Sequence, residues 1–467
     1  LMDSIKTRIS RRVNYRQLER KRTAYKNMLP ELRFRNISIE GANEQQIKYI
    51  RKEFHSSEKE VFSMEDLRRG YFRLMADNMI SEIIPHAVYN GEDHLFDLHL
   101  KVKMEDDLAL RVGGNVASNG VNQIYIGATY HNLNYYAKEM SIDGQIGQVY
   151  NNLQLAGRMD FPTHLPTSYR FIASMSSLDY FKQERLFTSG NTPVFNKNKE
   201  YFLKLLMSMP FLTSQKAEFS IGVGRLEDQY FQTNVIDFVN DNRDQSSYNI
   251  FGGSVALEGN TLDSRQFATS GRKERLVANV YTGKEHYKDG VYNEESPMSK
   301  YEYTQSWLQI SYELERYSQL SSQFTLGQYI HSYYSSRNFS QNYTATMMQA
   351  GTFAPTAHSK ISYNEAFRAN QFIGAGLIPI FKLNSVVQAR AEVYGFMPIF
   401  PIMKDEDNKA YYGKTFSKVE YMGQISLVIK LPFGAVSAYV NHYSSPTKNW
   451  NAGLTLGWQL FNSRFIE

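Results

Sequence analysis

From Leu108 onward, apolar residues recur at alternate positions and the three-to-four spacing of amphipathic helices is absent. Sixteen segments read as strands, beginning near Leu108, Val121, Tyr135, Val149, Ser168, Lys199, Lys216, Tyr248, Lys273, Lys300, Gln323, Phe367, Ser385, Phe416, Phe433 and Asn449. In the stretch 386–394 one face carries Val387, Ala389, Ala391 and Val393 and the other Gln388, Arg390 and Glu392. In the last segment Leu454, Leu456, Trp458 and Leu460 oppose Thr455, Gly457 and Gln459. A soluble β-sandwich produces the same alternation, and the connections separate the two cases. Links after odd-numbered segments include long polar ones (182–197, 232–246, 288–298, 333–366 and 400–415), whereas links after even-numbered segments are mostly tight, as at Leu133-Asn134, Thr213-Ser214 and Leu431-Pro432. Long links on one side and short ones on the other are the mark of a transmembrane barrel. The expected fold is therefore mainly β, a 16-stranded antiparallel transmembrane β-barrel over residues 107–467.

The first hundred residues follow another rhythm. Leu32 to Ile39 alternates with period two and ends at Glu40-Gly41, a strand-then-turn signal. Asn43 caps a helix through Ile47 and Ile50 to Phe54, and Ser63 precedes a second helix, Met64 to Asp77, with Leu67, Tyr71 and Leu74 on one face. Strands over 82–89 and 95–103 follow, giving an α+β domain over 31–106. Residues 1–30 hold nine Lys and Arg against Asp3 and Glu19, a net +7, so the remainder of the +5 chain is slightly acidic. This basic linker helix lacks the aromatic interleaving of nucleic-acid grooves, and no nucleic-acid partner is expected.

Composition fits the barrel. Tyr (33) and Phe (29) are heavily used, as the aromatic girdles of membrane barrels require. With no run of about 18 apolar residues, crossing a membrane requires a closed sheet. Absence of cysteine removes disulfides and zinc–thiolate sites, and no cofactor or metal is expected. The opening LMDSIKTRIS lacks an apolar signal-peptide core and starts on Leu, so the sequence reads as a piece whose N-terminal part is missing. Catalytic candidates are weak. Gly252-Gly-Ser254-Val-Ala256 lacks the closing glycine of a nucleophile elbow, Asp143-Gly144 is followed by Gln145, and both fall in strands, not in a strand-turn-helix setting. His358, Ser359 and Glu365 suggest an acyl-transfer trio, but the sequence supplies no oxyanion donors and loop polarity accounts for them.

One stretch organises the rest. Residues 353–372, FAPTAHSKISYNEAFRANQF, lie between segments eleven and twelve, in and just after the sixth outer loop (about 333–366). Arg368 sits where this polar loop becomes the glycine-rich strand 373–380. The stretch resembles the lumen-inserted loop of the BamA, TamA and two-partner-secretion superfamily, whose signature centres on Arg-Gly between apolar or aromatic residues. The corresponding residues are Phe367, Arg368, Ala369, Asn370 and, beyond them, Phe372, with Ala369 in place of the glycine. FRANQF after PTAHSK is more similar to the barrel of bacterial patatin-like phospholipases that carry a POTRA domain and a surface-antigen-type barrel, a resemblance spanning about 31–467. It implies that 31–106 is the POTRA domain, lying in the periplasm, and that a serine lipid-hydrolase domain precedes Leu1.

An arginine in a barrel lumen needs acceptors for its donors. Glu392, on the polar face of the next strand, is the expected partner, as the resemblance also implies, so that Arg368 and Glu392 pin the loop inside the barrel. The segment 454–461 resembles the closing-strand signal that outer-membrane assembly machinery reads, with residues 462–467 running past it. The implied function is an outer-membrane anchor or translocation module of a patatin-like phospholipase, with passage of lipid or protein through the barrel. The alternatives are an insertase or secretion factor of the BamA and TamA kind, and a plain diffusion porin. Implied partners are outer-membrane lipids and the assembly machinery, and self-association or a larger membrane complex is compatible with each reading.

Overall fold

The computed structural model describes residues 15–28, 32–54, 61–75, 80–104, 106–118, 122–133, 136–161, 167–181, 194–212, 215–231, 242–290, 300–432, 434–444, 450–460 and 462–466. The chain divides into two compact units, with residues 1–106 in the first and nearly all the rest in the second.

In the first unit, helix α1 (Tyr15–Met28) precedes β1 (Arg33–Glu40), α2 (Glu44–Phe54), β2 (Phe62–Ser63), α3 (Met64–Met75), β3 (Ile80–Asn90) and β4 (Leu95–Met104). The two-residue β2 adds to the expected order, and the sheet runs β2-β1-β4-β3 with β1 and β4 parallel. Both helix starts are capped reciprocally. The Asn43 Oδ1 accepts from the N–H of Gln46 at 2.9 Å while Gln46 Oε1 accepts from the N–H of Asn43 at 2.9 Å. Ser63 and Asp66 make the same exchange at the start of α3. Ile50, Phe54, Leu67 and Leu74 are buried with Leu98 and Leu100 of the sheet.

The second unit is a closed barrel of sixteen antiparallel strands. In chain order they are β5 (Leu108–Ala117), β6 (Gln123–Leu133), β7 (Ala137–Gly147), β8 (Tyr150–Phe161), β9 (Thr167–Phe181), β10 (Val194–Leu212), β11 (Gln215–Tyr230), β12 (Asp244–Asn260), β13 (Gly271–Lys288), β14 (Lys300–Gln319), β15 (Phe324–Ser335), β18 (Gln371–Lys382), β19 (Val387–Pro398), β22 (Glu420–Leu431), β23 (Gly434–Tyr443) and β24 (Trp450–Gly457). Two short hairpins ride on the loops: β16 (Gly351–Thr352) with β17 (Arg368–Ala369), and β20 (Ile402–Lys404) with β21 (Ala410–Tyr412). The alternation read from the sequence sorts the side chains as expected. In β19 Gln388, Arg390 and Glu392 are buried toward the lumen, while Val393 stays 61% exposed on the outer wall. Outward Ile142, Leu205, Ile221, Val280, Leu377 and Ile425 continue this apolar band, the surface a bilayer requires.

One link and the end of the last strand depart from expectation, and three expected long links go untested. The long connections 182–193, 232–241 and 291–299 fall outside the described residues. The link 261–270 joins an even-numbered strand to its successor, yet it is ten residues long and folds onto the lumen side, where Ala268 is 3% exposed. Its shape is held by Asp263, which accepts from the N–H and hydroxyl of Thr269, each at 2.8 Å. The expected last strand through Phe461 ends early. Gly457 adopts φ +110°, a left-handed conformation only glycine takes without strain, and the strand ends there, Trp458 keeping a single backbone bond to Gly114 of β5. The early exit leaves the seam short: among the described residues β24 pairs with β5 at Thr455↔Ala117, Leu456↔Val116 and Gly457↔Asn115 alone.

Candidate functional site: the plugged lumen

The loop between β15 and β18 does not lie over the barrel mouth. It enters the lumen and packs against lumen-facing side chains on widely separated strands. Its first element is the helix α4 (Tyr343–Gln349), capped by Asn342, whose Oδ1 accepts from the N–H of Ala345 at 2.8 Å. Ala345 and Met348 of this helix pack with Tyr230 of β11 and Tyr287 of β13. The chain then forms β16, carries Phe353 into the barrel, turns through 356–362 and returns along β17.

Phe353 is the main aromatic anchor, 1% exposed. Its ring lies 5.7 to 6.3 Å from those of Tyr329, His331, Phe372, Tyr394 and Phe396. The cage exists because Gly374 beneath it has no side chain. A Cβ at that position would stand 2.1 Å from the Phe353 ring. Aromatic packing of this density contributes both apolar area and ring–ring geometry.

Each expected motif residue faces inward. Phe367 packs on Phe396 and Tyr443, with ring centroids 5.7 and 5.9 Å away, and its carbonyl accepts from the N–H of Phe353 at 2.9 Å. Asn370 donates to the Tyr412 hydroxyl at 3.0 Å and to the Arg337 carbonyl at 3.3 Å. Phe372 stacks on Tyr333 at 5.3 Å. Arg368 is 7% exposed, but it does not pair with Glu392. Its Nη1 donates to the carbonyls of Met347 (3.2 Å) and Met348 (3.0 Å), and its guanidinium lies 4.6 Å over the Tyr363 ring. The last carbonyls of α4 have no acceptor role within the helix and form its negative end, so they hold a cation well.

Glu392 is committed elsewhere. It accepts from Arg390 Nε at 3.3 Å and from the Tyr394 hydroxyl at 2.7 Å. Arg390 in turn donates to the Ala268 carbonyl at 2.8 Å and the Tyr317 hydroxyl at 3.2 Å, tying β19 to the 261–270 link. The expected Arg368–Glu392 bridge is thus replaced by two separate arrangements. The physical reason is proximity: Arg390 is the same-face neighbour two positions away on β19, whereas α4, unforeseen in the sequence, brings carbonyls directly to Arg368. Arg337, at the start of the loop, was also missed. Its guanidinium lies 4.8 Å over the Tyr248 ring and 4.5 Å over Trp307, and no spacing in the sequence signals it.

A mutational contrast follows. Arg368→Ala removes two charge-assisted bonds and a cation–π contact and is expected to weaken loop docking by about 3 kcal/mol. Glu392→Gln should leave the loop docked while loosening the 261–270 link. Hydrogen exchange of residues 344–368 and 262–270 separates the two; equal deprotection of the loop in both variants would restore the bridge.

The catalytic candidates do not converge. Ser254 bonds Ser220 at 2.6 Å in mid-strand, and Asp143 accepts from Arg111 and Tyr125. His358 Nδ1 is 2.7 Å from the Tyr443 hydroxyl, while Ser359 bonds Thr356 at 3.0 Å.

No protein-family model and no curated protein sequence matches the chain. Solved structures do. BamA from Haemophilus ducreyi lacking POTRA domains 1–3 aligns with a TM-score of 0.59 and 15% identity, covering 91% of this chain and 84% of that one. CdiB from Acinetobacter baumannii aligns at 0.51 and 9% identity, covering 91% and 74%. CdiB from Escherichia coli aligns at 0.50 and 12%, covering 92% and 77%. At these identities the likeness establishes the fold: a closed 16-stranded antiparallel barrel similar to those of BamA and CdiB.

Proposed function

We propose that the chain is an outer-membrane conduit of the insertase or secretion type, acting on polypeptides. The observation that carries this reading is the seam. Among the described residues only three pairs join β24 to β5, whereas β22 and β23 are joined by ten. Along the lower part of β5, Leu108–Gly113 has no strand partner on its β24 side among the described residues, and Leu110 and Val112 there are 74% and 81% exposed. A free, apolar strand edge is a template for pairing with an incoming strand. The strand order and two helices of the first unit support a POTRA domain, which in this reading lies in the periplasm and receives an extended client by the same edge pairing. Arg368, held by α4, serves in this reading as the lock that keeps the loop in the lumen.

The narrower reading, a membrane anchor for a patatin-like phospholipase, is favoured by the densely filled lumen and by FRANQF with Ala369, which is fully buried opposite Gly351. The test is reconstitution. Liposomes carrying the full chain are expected to speed the folding of an added, denatured outer-membrane barrel, read as the heat-modifiable compact band. Rates equal to those of liposomes holding a plain porin would remove the insertase form of the proposal in favour of the anchor.

A further inference from the structure

We infer that the inner wall of the barrel carries a binding groove for extended polypeptide with a basic–aromatic pair, occupied in this structure by the chain's own residues 458–460 and 462–466. Beyond Gly457 the described residues meet lumen-facing side chains of β6, β8, β10 and β13 in turn. What it meets are side chains that read its backbone. Gln123 addresses both main-chain groups of Leu460, its Nε2 donating to the carbonyl and its Oε1 accepting from the N–H, each at 3.4 Å. The Tyr150 hydroxyl accepts from the N–H of Asn462 at 3.3 Å. Glu200 Oε2 accepts from the N–H of Phe465 at 3.0 Å, and the Tyr281 hydroxyl donates to the Phe465 carbonyl at 3.2 Å. Main-chain groups are common to every peptide, so a row of such contacts recognises extended chain irrespective of most of its sequence.

Selectivity comes at the far end. Arg464 forms an ion pair with Glu200 and donates to Asn198 Oδ1 at 3.0 Å. Phe465 is 1% exposed, in a pocket with Phe202, Tyr281 and Trp307. An acidic residue that accepts both the guanidinium and the following N–H, beside an aromatic pocket, selects an Arg followed by an aromatic. Glu200 is 3% exposed and holds both of these groups, a buried carboxylate whose charge needs a cation whenever the segment leaves. This inference rests on the reading of the barrel as a polypeptide conduit, because a passenger segment is what would displace the resident one.

The experiment uses the full chain in detergent and a fluorescent peptide of the sequence WQLFNSRFI. Wild-type protein, with its groove filled, is expected to bind weakly. The double variant Arg464→Ala and Phe465→Ala vacates the groove and should bind at least about tenfold tighter, the gain a competing internal occupant conceals. Adding Glu200→Gln should abolish that gain, and a peptide with Glu in place of Arg should not bind.

A second variant guards against misfolding. The chain has no cysteine, and a Cβ placed on Gly224 would lie 3.4 Å from the Phe465 ring. Gly224→Cys with Phe465→Cys should close as a disulfide that excludes the peptide when oxidised and admits it when reduced. Equal binding by wild type and double variant, or by oxidised and reduced cysteine pair, overturns the groove. Peptide capture without client folding in liposomes leaves the groove standing and removes the conduit, whereas client folding without capture removes the groove alone.

Discussion

Replacing Gly374 with alanine should open the lumen to ions while leaving the barrel wall intact. The argument turns on one methyl group. In β18, Gly374 faces inward, and a Cβ there would stand 2.1 Å from Phe353 Cε2, far inside contact distance. The ring cannot retreat, since Tyr329, His331, Phe372, Tyr394 and Phe396 close it in. Nor can β18 shift outward freely, because it is paired along its length with β15 and β19. The remaining response is for Phe353 to leave, and loss of a buried phenylalanine's packing is worth about 3–5 kcal/mol. Each 1.4 kcal/mol is a factor of ten in the balance between docked and undocked loop. The undocked fraction should therefore rise by two orders of magnitude or more, and single-channel conductance in planar bilayers should rise severalfold. Gly395→Ala is the control. It lies on the adjacent strand, where a Cβ meets nothing within 4 Å. Conductance of Gly374→Ala indistinguishable from that of Gly395→Ala would mean that Phe353 does not hold the plug.

The barrel itself was legible because two independent physical signals agree along the chain. Period-two alternation marks which residues face lipid, and link length marks which end of the barrel a turn belongs to. Together they gave sixteen strands and put Arg368 after the eleventh, as observed. Capped helix starts at Asn43 and Ser63 were readable for the same reason, since the signal and the structure it specifies lie within four residues. The interior of the lumen was not readable. Partners there are chosen by which links fold inward; the helix over 343–349 and the link 261–270 do so without a periodic signature, and the segment after Gly457 does so against one. Arg368 found carbonyls of a helix about twenty residues upstream, and Arg390 found the carbonyl of Ala268, more than a hundred residues away. Only the pair Arg390–Glu392 was implicit in the pattern, two positions apart on one polar face. The end of β24 illustrates the limit: Leu454, Leu456, Trp458 and Leu460 alternate without a break, yet the backbone of Gly457 decides the matter.

Locking the seam should abolish client handling. A backbone hydrogen bond contributes about 0.5–1.5 kcal/mol net. The three register pairs of β24 with β5, extended by the Trp458 N–H to the Gly114 carbonyl and the Ser118 N–H to the Leu454 carbonyl, hold the barrel shut by only a few kcal/mol. Other neighbouring strands are joined over eight pairs or more among those with complete registers, as for β23 and β24 themselves. A seam this short can open while the rest of the wall stays closed. Val116→Cys with Leu456→Cys places cysteines at directly paired positions on β5 and β24, where paired Cα atoms are about 4.5–5.5 Å apart and a disulfide forms without backbone movement. Val436→Cys with Leu456→Cys makes the same kind of cross-link between β23 and β24. The oxidised β5–β24 cross-link is expected to bring client folding in liposomes down to the lipid-only rate, with recovery on reduction, while the β23–β24 cross-link leaves it unchanged. Full activity of the oxidised β5–β24 protein would show that clients do not pass through the seam. Transport would then have to proceed along the lumen, past the loop that Phe353 and Arg368 hold in place.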